Sequence, residues 1–493
     1  MPGSRSTPPV IRSAADVNHL INTGRAKGGK SRAITIIALG GIFIDAYDFS
    51  SIAFGLHDIA TTFRLNPVEE GVVAASIMVG ALLGALVGGY LVDRVGRYKM
   101  FMADMIFFVV AAIACAVAPN YELLTAARFV MGIGIGIDFP VALAFIAEFN
   151  ALRGRGGKVS LWQPMWYLAT GASFVVLLPL YFLMPADMHA DMWRWAVGFG
   201  AVPALIVMLV RHKYMDESPA WAAGQGDLHR AAAILKNSYG LEVQVGEPDP
   251  NAPVVAPTKP AALKEFRRLF QGRYRVRTIQ AAAVSALQSV QYYAVGFALP
   301  VIIASLLQQG RLTSIVGPLI FNLLFGVVGG LVGVRLSDRL GSWKLAMSGF
   351  AVCFVALIGL GALGQGSGIA LLGIGGLLGL FVFFHAYGPG AQGMTIATLS
   401  YPTTLRGVGS GFGQAMLRIG SMVSLFFFPI LSSALGTGVF YAVAVAPLLG
   451  MLVLAVIRWD PTHVDVDAET DEQPDAVRAR AGHAESNDRS TTS

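Results

Sequence analysis

GGYLVDRVGRYK, residues Gly88–Lys99, is the stretch from which the rest of the chain is read. A degraded copy, GVRLSDRLGSWK, returns at Gly333–Lys344. Gly88, Asp93, Arg94, Gly96 and Lys99 match Gly333, Asp338, Arg339, Gly341 and Lys344 in register, and apolar runs flank both copies. A turn rich in glycine and basic residues that recurs between long apolar segments predicts a duplicated membrane protein of two like halves. Two unrelated basic loops would not keep that register. A second echo of the duplication is Leu152-Arg153-Gly154 against Leu405-Arg406-Gly407.

Composition agrees. Of 493 residues, 55% are hydrophobic and only 13% charged, with a mean hydropathy of +0.61. A soluble chain carries about 25% charged residues, and a bilayer core needs about 20 apolar residues per helix. Twelve such spans fit, at about 33–57, 70–92, 98–118, 121–148, 159–185, 192–212, 276–308, 312–336, 343–364, 368–398, 404–433 and 436–458. Their apolar runs are continuous rather than alternating, which predicts helices and not a barrel. The expected fold is therefore an all-α membrane protein of twelve helices. Two pseudo-symmetric six-helix bundles, 33–212 and 276–459, flank a cytoplasmic loop at 213–275. The tails are 1–32, polar and mobile at its start, and 460–493, acidic and disordered.

A net charge of +6 and a pI near 9.3 are compatible with nucleic-acid binding, but placement argues otherwise. Basic residues cluster at Arg5–Arg32 and in alternate loops: Arg94, Arg97 and Lys99, then Arg153, Arg155 and Lys158, then Lys264 to Arg277. The intervening loops hold little beyond Arg64, Arg194 and Arg311. By the positive-inside rule both termini lie in the cytoplasm of a multi-pass inner or plasma membrane protein. Cys115 and Cys353 both fall inside spans, so no disulfide framework is expected. No HExxH, zinc-spaced set or nucleophile elbow appears, so neither an enzyme nor a cofactor is expected.

Ionisable residues inside the spans carry the functional argument, because a charge at mid-membrane costs about 2.5–3.5 kcal/mol. Asp45 and Asp48 share one helix face in GGIFIDAYDFS and are expected to face an aqueous cavity. Asp138 sits beside Pro140 and is expected to exchange a proton, since burial disfavours the charged form of a carboxylate. In the duplicated turn, Asp93, Arg94 and Arg97, with Asp338 and Arg339 in the copy, are expected to form charge networks that bias one conformation. Asp104 is placed to join them. Glu148 is expected to pair with the Arg153/Arg155 turn, and Arg128 and Arg406 complete the gating set. Arg418 lies deep in the eleventh span and needs an anion, either Asp45 or Asp48 or the solute. Gln288, Gln291 and Tyr292 in the seventh span have the groups to hydrogen-bond that solute, or else a neighbouring helix. His385 is read as a structural hydrogen bonder or a proton relay, and Trp162, Gln163, Trp166 and Tyr167 as packing, with cavity lining as the alternative. The stripe Gly80, Gly84, Gly88 is architecture. GQGDLHRAAAILKN, residues 224–237, predicts an amphipathic helix on the membrane surface.

Together these features resemble the major facilitator superfamily from Arg32 to Trp459. GGYLVDRVGRYK is similar to that family's loop between helices two and three, RFVMGIGIG to its fourth-helix pattern, and DESPAWA to the end of helix six in sugar-porter-like members. IDAYDFS, GIGIGIDFPVALAFIAEF and YGPG with YPTTLRG are similar to proton-coupled phosphate symporters, in which the acids matching Asp45, Asp48 and Asp138 handle protons and substrate. Ile137, Gly390 and Arg418 depart from the phosphate symporters' Gly, Asn and Lys, and the seventh span lacks their Asp and Trp. LRIGSM and MWYLATGA look closer to bacterial inner-membrane metabolite transporters. The resemblance implies 3+3 inverted repeats in each half and secondary transport by alternating access. Proton-coupled uptake of a small, anionic organic metabolite, such as a carboxylate or aromatic acid, is the expectation. A sugar or polyol porter, a phosphate symporter and an exporter stay open. The expected partners are a small solute, protons and lipid, with no nucleic acid, and the chain is expected to be a monomer.

Overall fold

A computed structural model describes residues 8–23, 31–151, 154–247, 263–297, 299–300, 302–303, 311–363 and 369–467. The first half runs α1 (Ala14–Asn22), α2 (Ser31–Phe63), α3 (Pro67–Val95), α4 (Arg97–Ala116), α5 (Tyr121–Glu148), α6 (Arg155–Ser160), α7 (Trp162–Leu183), α8 (Met192–Phe199) and α9 (Ala201–Tyr214). Three short helices follow: α10 (Pro219–Gly224), α11 (Leu228–Tyr239) and α12 (Leu263–Arg268). The second half holds α13 (Gly272–Tyr292), α14 (Arg311–Ile320), α15 (Val328–Leu340), α16 (Ser342–Leu363), α17 (Ile369–His385), α18 (Ala391–Leu399), α19 (Thr403–Leu435) and α20 (Val439–Val456). π-turns at Phe321–Val327 and Ala386–Gly390 join α14 to α15 and α17 to α18, the second beside Pro389.

Among the described residues, eleven helical stretches are long and apolar enough to cross a membrane. The seventh crossing, α13 continued by a π-turn at Tyr293–Phe297, falls short on composition. Its polar residues explain this. Gln280, Ser285, Gln288, Ser289 and Gln291 are all buried, so the polarity faces protein rather than lipid. Outward-facing positions such as Val110, Phe182, Leu209, Leu372 and Val456 are exposed and apolar, as a lipid-facing surface requires.

Lipid is as apolar as leucine, so helices in a bilayer associate through close packing more than through hydrophobic burial. The glycine stripe does this. A Cβ at Gly80 or Gly84 would meet the Phe129 or Ile133 carbonyl of α5, and Gly132 and Gly136 answer against Ile77 and Ala81 of α3. The second half repeats the arrangement, with Gly329 and Gly333 against the carbonyls of Phe383 and Tyr387.

The duplicated turn carries a further device. Gly96 and Gly341 have φ of +101° and +82°, a backbone state essentially reserved for glycine. Each turn opens a helix whose first N–H groups need acceptors. Glu217, just past α9, accepts from the N–H of Arg97 (2.9 Å) and Tyr98 (3.2 Å). Asp460, just past α20, accepts from the N–H of Ser342 (3.2 Å) and Trp343 (3.0 Å). In both halves a carboxylate beyond the last helix caps the helix after the turn.

Three expectations change at the cytoplasmic side. The amino-terminal segment is structured from Val10: Val10–Ile11 (β1) pairs in parallel with Gln244–Val245 (β2), and α1 buries Val17, Leu20 and Ile21. The helix α11 buries Ala231, Ile234, Leu235 and Tyr239 against protein, with the Tyr239 hydroxyl on the Phe149 carbonyl at 2.8 Å, so its apolar face does not rest on the membrane. Residues 460–467, expected in a disordered tail, dock through Asp460, Thr462 and Asp467. The rest of that tail lies outside the described residues, as does the start of the amino-terminal tail.

Candidate functional site

A small cavity lies between the halves. Phe139 of α5 and Trp162, Gln163 and Trp166 of α7 form one wall; Gln288 and Tyr292 of α13, Tyr293, His385, and Gln414, Leu417 and Arg418 of α19 form the other. It is closed on both sides. Toward the cytoplasm Ser160 meets Thr395 (2.9 Å), the Trp162 indole donates to the Ala391 carbonyl (3.2 Å), and Gly157 N–H donates to Asp338 (3.4 Å). Toward the outside Phe174 and Leu177 pack with Ile315, and the Phe49 and Tyr293 rings touch edge to face at 5.7 Å.

Most polar groups in the walls are satisfied by one another. The Trp166 indole donates to the Tyr292 hydroxyl at 2.8 Å. His385 sits between the Tyr167 hydroxyl on Nδ1 and the Gln288 amide oxygen on Nε2, each at 3.0 Å. That pairing fits a neutral imidazole that donates from Nε2 and accepts at Nδ1, so the structural role for His385 suffices.

Arg418 is different. It is fully buried, and the groups it hydrogen-bonds are neutral. Nη1 is 3.4 Å from the Tyr293 hydroxyl and 4.0 Å from the Met78 sulfur. With the Gln414 amide oxygen turned toward it, Nη2 and Nε reach that oxygen at 2.8 and 3.3 Å. Among the described residues no carboxylate pairs with it. A guanidinium in a dry cavity wall without an anion is costly to bury and is a ready partner for one that enters.

The acids of the first half do not line this cavity, contrary to the expectation for Asp45 and Asp48. Both are buried inside the first bundle, and none of their carboxylate oxygens has a hydrogen-bond partner among the described residues. The Asp48 carboxylate fills the space that a side chain at Gly200 would take, and the Asp138 carboxylate the space of one at Gly41. Asp138 pairs with Arg211 at 3.0 Å, and Arg211 also holds Asp104 at 3.3 Å. Asp45 lies within reach of the charges of Asp138, Arg418, Asp48 and Arg211. Gln291 is likewise buried off the cavity, with its amide atoms unpartnered.

The gating set divides. Glu148 pairs with Arg97 at 2.8 Å, both buried, rather than with the Arg153/Arg155 turn, because Arg97 points from the start of α4 onto the end of α5. Arg155 instead donates to the Asn150 carbonyl at 3.0 and 3.1 Å and to the Asn22 side chain. Asp104 joins Arg211, not the turn. Arg128 donates to the Val73 carbonyl at 2.9 Å far from the cytoplasmic end, a tie within one half. Arg406 pairs with Asp467 at 3.0 Å. Asp338 links the halves through Gly157, while Arg94 and Arg339 are exposed. Arg153 and the Asp93 side chain lie outside the described residues.

Sequence reasoning missed Arg211, Glu217 and Gln414 as partners, and favoured packing over cavity lining for Trp162 and Trp166, which line the cavity. Arg211 opens the basic run Arg211-His212-Lys213, which reads as topological charge. Only its full burial beside two exposed neighbours sets it apart.

The family described as "Sugar (and other) transporter" matches residues 33–458. The inner membrane metabolite transport protein YgcS of Escherichia coli K12 is 28% identical over 76% of this chain and 79% of its own length. The niacin transporter NiaP of Acinetobacter baylyi is 29% identical over 76% and 81%. Among solved structures, the major facilitator superfamily proton:xylose symporter XylE bound to 6-bromo-6-deoxy-D-glucose superposes with a TM-score of 0.74 at 19% identity, covering 87% of this chain and 96% of that one. The inward-open form of the E. coli xylose transporter gives 0.64 at 18% identity, covering 91% and 99%.

Proposed function

The chain belongs to the sugar (and other) transporter family, a multi-pass membrane secondary transporter of the major facilitator fold, and from that premise we propose that it takes up a small organic anion together with protons. The observation that carries the anion is Arg418, a buried guanidinium in the cavity wall whose hydrogen-bonding partners among the described residues are all neutral. An entering carboxylate supplies the missing charge and matches the planar donor fork. The rings of Trp162, Trp166, Tyr292 and Phe139 offer flat apolar surface, which favours an aromatic acid. One relative is named a niacin transporter, and niacin is such an acid.

The proton belongs to the carboxylates of the first half. Asp45, Asp48 and Asp138 are buried in a bundle that must move against its partner as the cavity opens. A carboxylate that gains a proton is cheaper to keep dry while the bundles close. Solute and proton enter from outside, the bundles rock, and the cytoplasmic contacts at Ser160–Thr395 and Trp162–Ala391 part to release both.

A second reading is a neutral sugar or polyol, favoured by the amides of Gln163, Gln288 and Gln414 around the cavity and by a structural neighbour described as a proton:xylose symporter. Uptake of labelled nicotinate and labelled xylose by right-side-out vesicles separates the two. Nicotinate uptake that collapses when an ionophore dissipates the pH gradient supports the proposal. Xylose uptake without nicotinate uptake would replace it with the second reading.

A further inference from the structure

We propose, resting on the symport reading above, that Asp104 and Asp138 hold a single proton between them on the Arg211 guanidinium, and that this acid pair is where the coupling proton rides. The three side chains come from α4, α5 and α9, and all are fully buried. Arg211 Nη1 reaches Asp104 Oδ1 at 3.3 Å and the Phe101 carbonyl at 3.2 Å; Nη2 reaches Asp138 Oδ1 at 3.0 Å and the Ala38 carbonyl at 3.2 Å. The guanidinium also lies 4.2 Å from the Phe101 ring centroid. It is therefore held by two backbone carbonyls besides the acids, one on α4 and one on α2, and cannot follow one carboxylate at the expense of the other.

Each carboxylate spends Oδ1 on Arg211, and each has an Oδ2 that accepts from nothing. Arg211 holds the two carboxyl groups side by side, one on each terminal nitrogen of its guanidinium. One proton between them satisfies both orphaned oxygens and balances the charge, because two ionised acids against one guanidinium leave a net negative charge in a dry site. Gly41 of α2, lacking a side chain, leaves the room in which the Asp138 carboxyl sits.

The other charges around the pair decide when the proton leaves. Asp45 and Asp48 stand on α2, Arg128 on α5 beside Asp48, and Arg418 on α19 of the opposite half. Asp45 feels both Arg418 and Asp138, so it lies electrically between cavity and pair. An anion on Arg418 cancels a positive field that favours ionised acids, and so strengthens proton retention. By reciprocity, a protonated pair strengthens anion binding. Asp138 is next in sequence to Phe139, which lines the cavity, so pair and solute are separated by about one helix wall.

The test reads the proton directly. Infrared spectra of solute-free protein in nanodiscs should show, at neutral pH, a carboxylic-acid C=O band that disappears in Asp104→Asn and in Asp138→Asn alike. The remaining acid is then matched one to one by Arg211 and stays ionised. The double variant should lose no more than either single one, and Asp45→Asn should keep the band. Survival of the band in either single variant overturns the pair. With nicotinate as probe, Asp104→Asn should keep counterflow but lose stimulation by a pH gradient, a separation that a merely structural role would not give. If the wild type ignores the gradient while the band behaves as stated, symport fails and the acid pair stands.

Discussion

Replacing Arg418 by Gln separates an anionic from a neutral solute by magnitude. The hydrogen-bonding partners of Arg418 are Gln414, Tyr293 and Met78, all neutral, so the substitution breaks no ion pair among the described residues, and Asp45 loses only an attraction beyond hydrogen-bonding distance. For a carboxylate solute, however, it removes the buried cation that, among the described residues, lines the cavity wall. Truncating one partner of a buried, hydrogen-bonded charge pair costs about 2–5 kcal/mol. At about 1.4 kcal/mol per tenfold change, that is about 30-fold to a few thousand-fold in Kd. A neutral polyol loses on the order of one ordinary hydrogen bond, about 0.5–1.5 kcal/mol, and Gln keeps an N–H donor to limit even that. The two ranges do not overlap. Equilibrium binding of labelled nicotinate to purified wild-type and Arg418→Gln protein measures the difference. A Kd for nicotinate within tenfold of wild type would refute the role given to Arg418.

The remaining predictions concern the scaffold and the gate. Gly84→Ala drives a methyl group into the Ile133 carbonyl of α5, and overpacking of this kind costs about 1–3 kcal/mol; a lowered Tm in detergent is expected, with no such drop for Gly71→Ala, which opens onto free space near the start of the same helix. Ser160→Cys with Thr395→Cys joins positions whose hydroxyls are 2.9 Å apart across the seam; oxidation should abolish uptake and a reductant restore it, and uptake unaffected by the cross-link would contradict opening on that side. Burial holds the Glu217 carboxyl above its ordinary value of 4.5, against the pull of the Ser218 N–H, Arg97 and the Tyr98 N–H. A raised folded value means stabilisation that is complete below 4.5 and is lost as pH rises through the folded value. The Tm of Glu217→Gln, measured from pH 4 upward, should therefore lack a decline that wild type shows. A decline of equal size in both proteins would assign it to other groups.

The architecture was legible because its signals are repeated and local. Apolar runs of bilayer length, the turn at Gly88–Lys99 with its copy, and glycines spaced by four each state a backbone requirement that no distant residue can alter. The seventh span was also legible, by its length, although its polar face hides it from a pure hydropathy criterion. Partner choice was not legible. Glu148 and Arg97 are 51 positions apart, and Arg211 finds Asp104 and Asp138 over 107 and 73. Such pairings depend on how the helices are rotated in the bundle, which a stripe of apolar residues constrains only loosely when nearly every face is apolar. The same ambiguity sent Asp45 and Asp48 toward the cavity in the sequence reading. Glycines at 41 and 200 leave space for carboxylates inside the first half, and nothing near them in the chain announces it. The amino-terminal helix was overlooked for a simpler reason: the spacing Val17, Leu20, Ile21 is a regular amphipathic pattern, overshadowed by the polar residues around it.

Proton movement driven by the solute tests the central claim most directly. Wild-type protein in liposomes loaded with a trapped pH dye, with no gradient imposed, should acidify the lumen when nicotinate is added outside and a potassium conductance clamps the voltage. Arg418→Gln liposomes should show no such change. Labelled nicotinate that enters wild-type liposomes with no acidification beyond that in protein-free liposomes would contradict coupled movement of anion and proton.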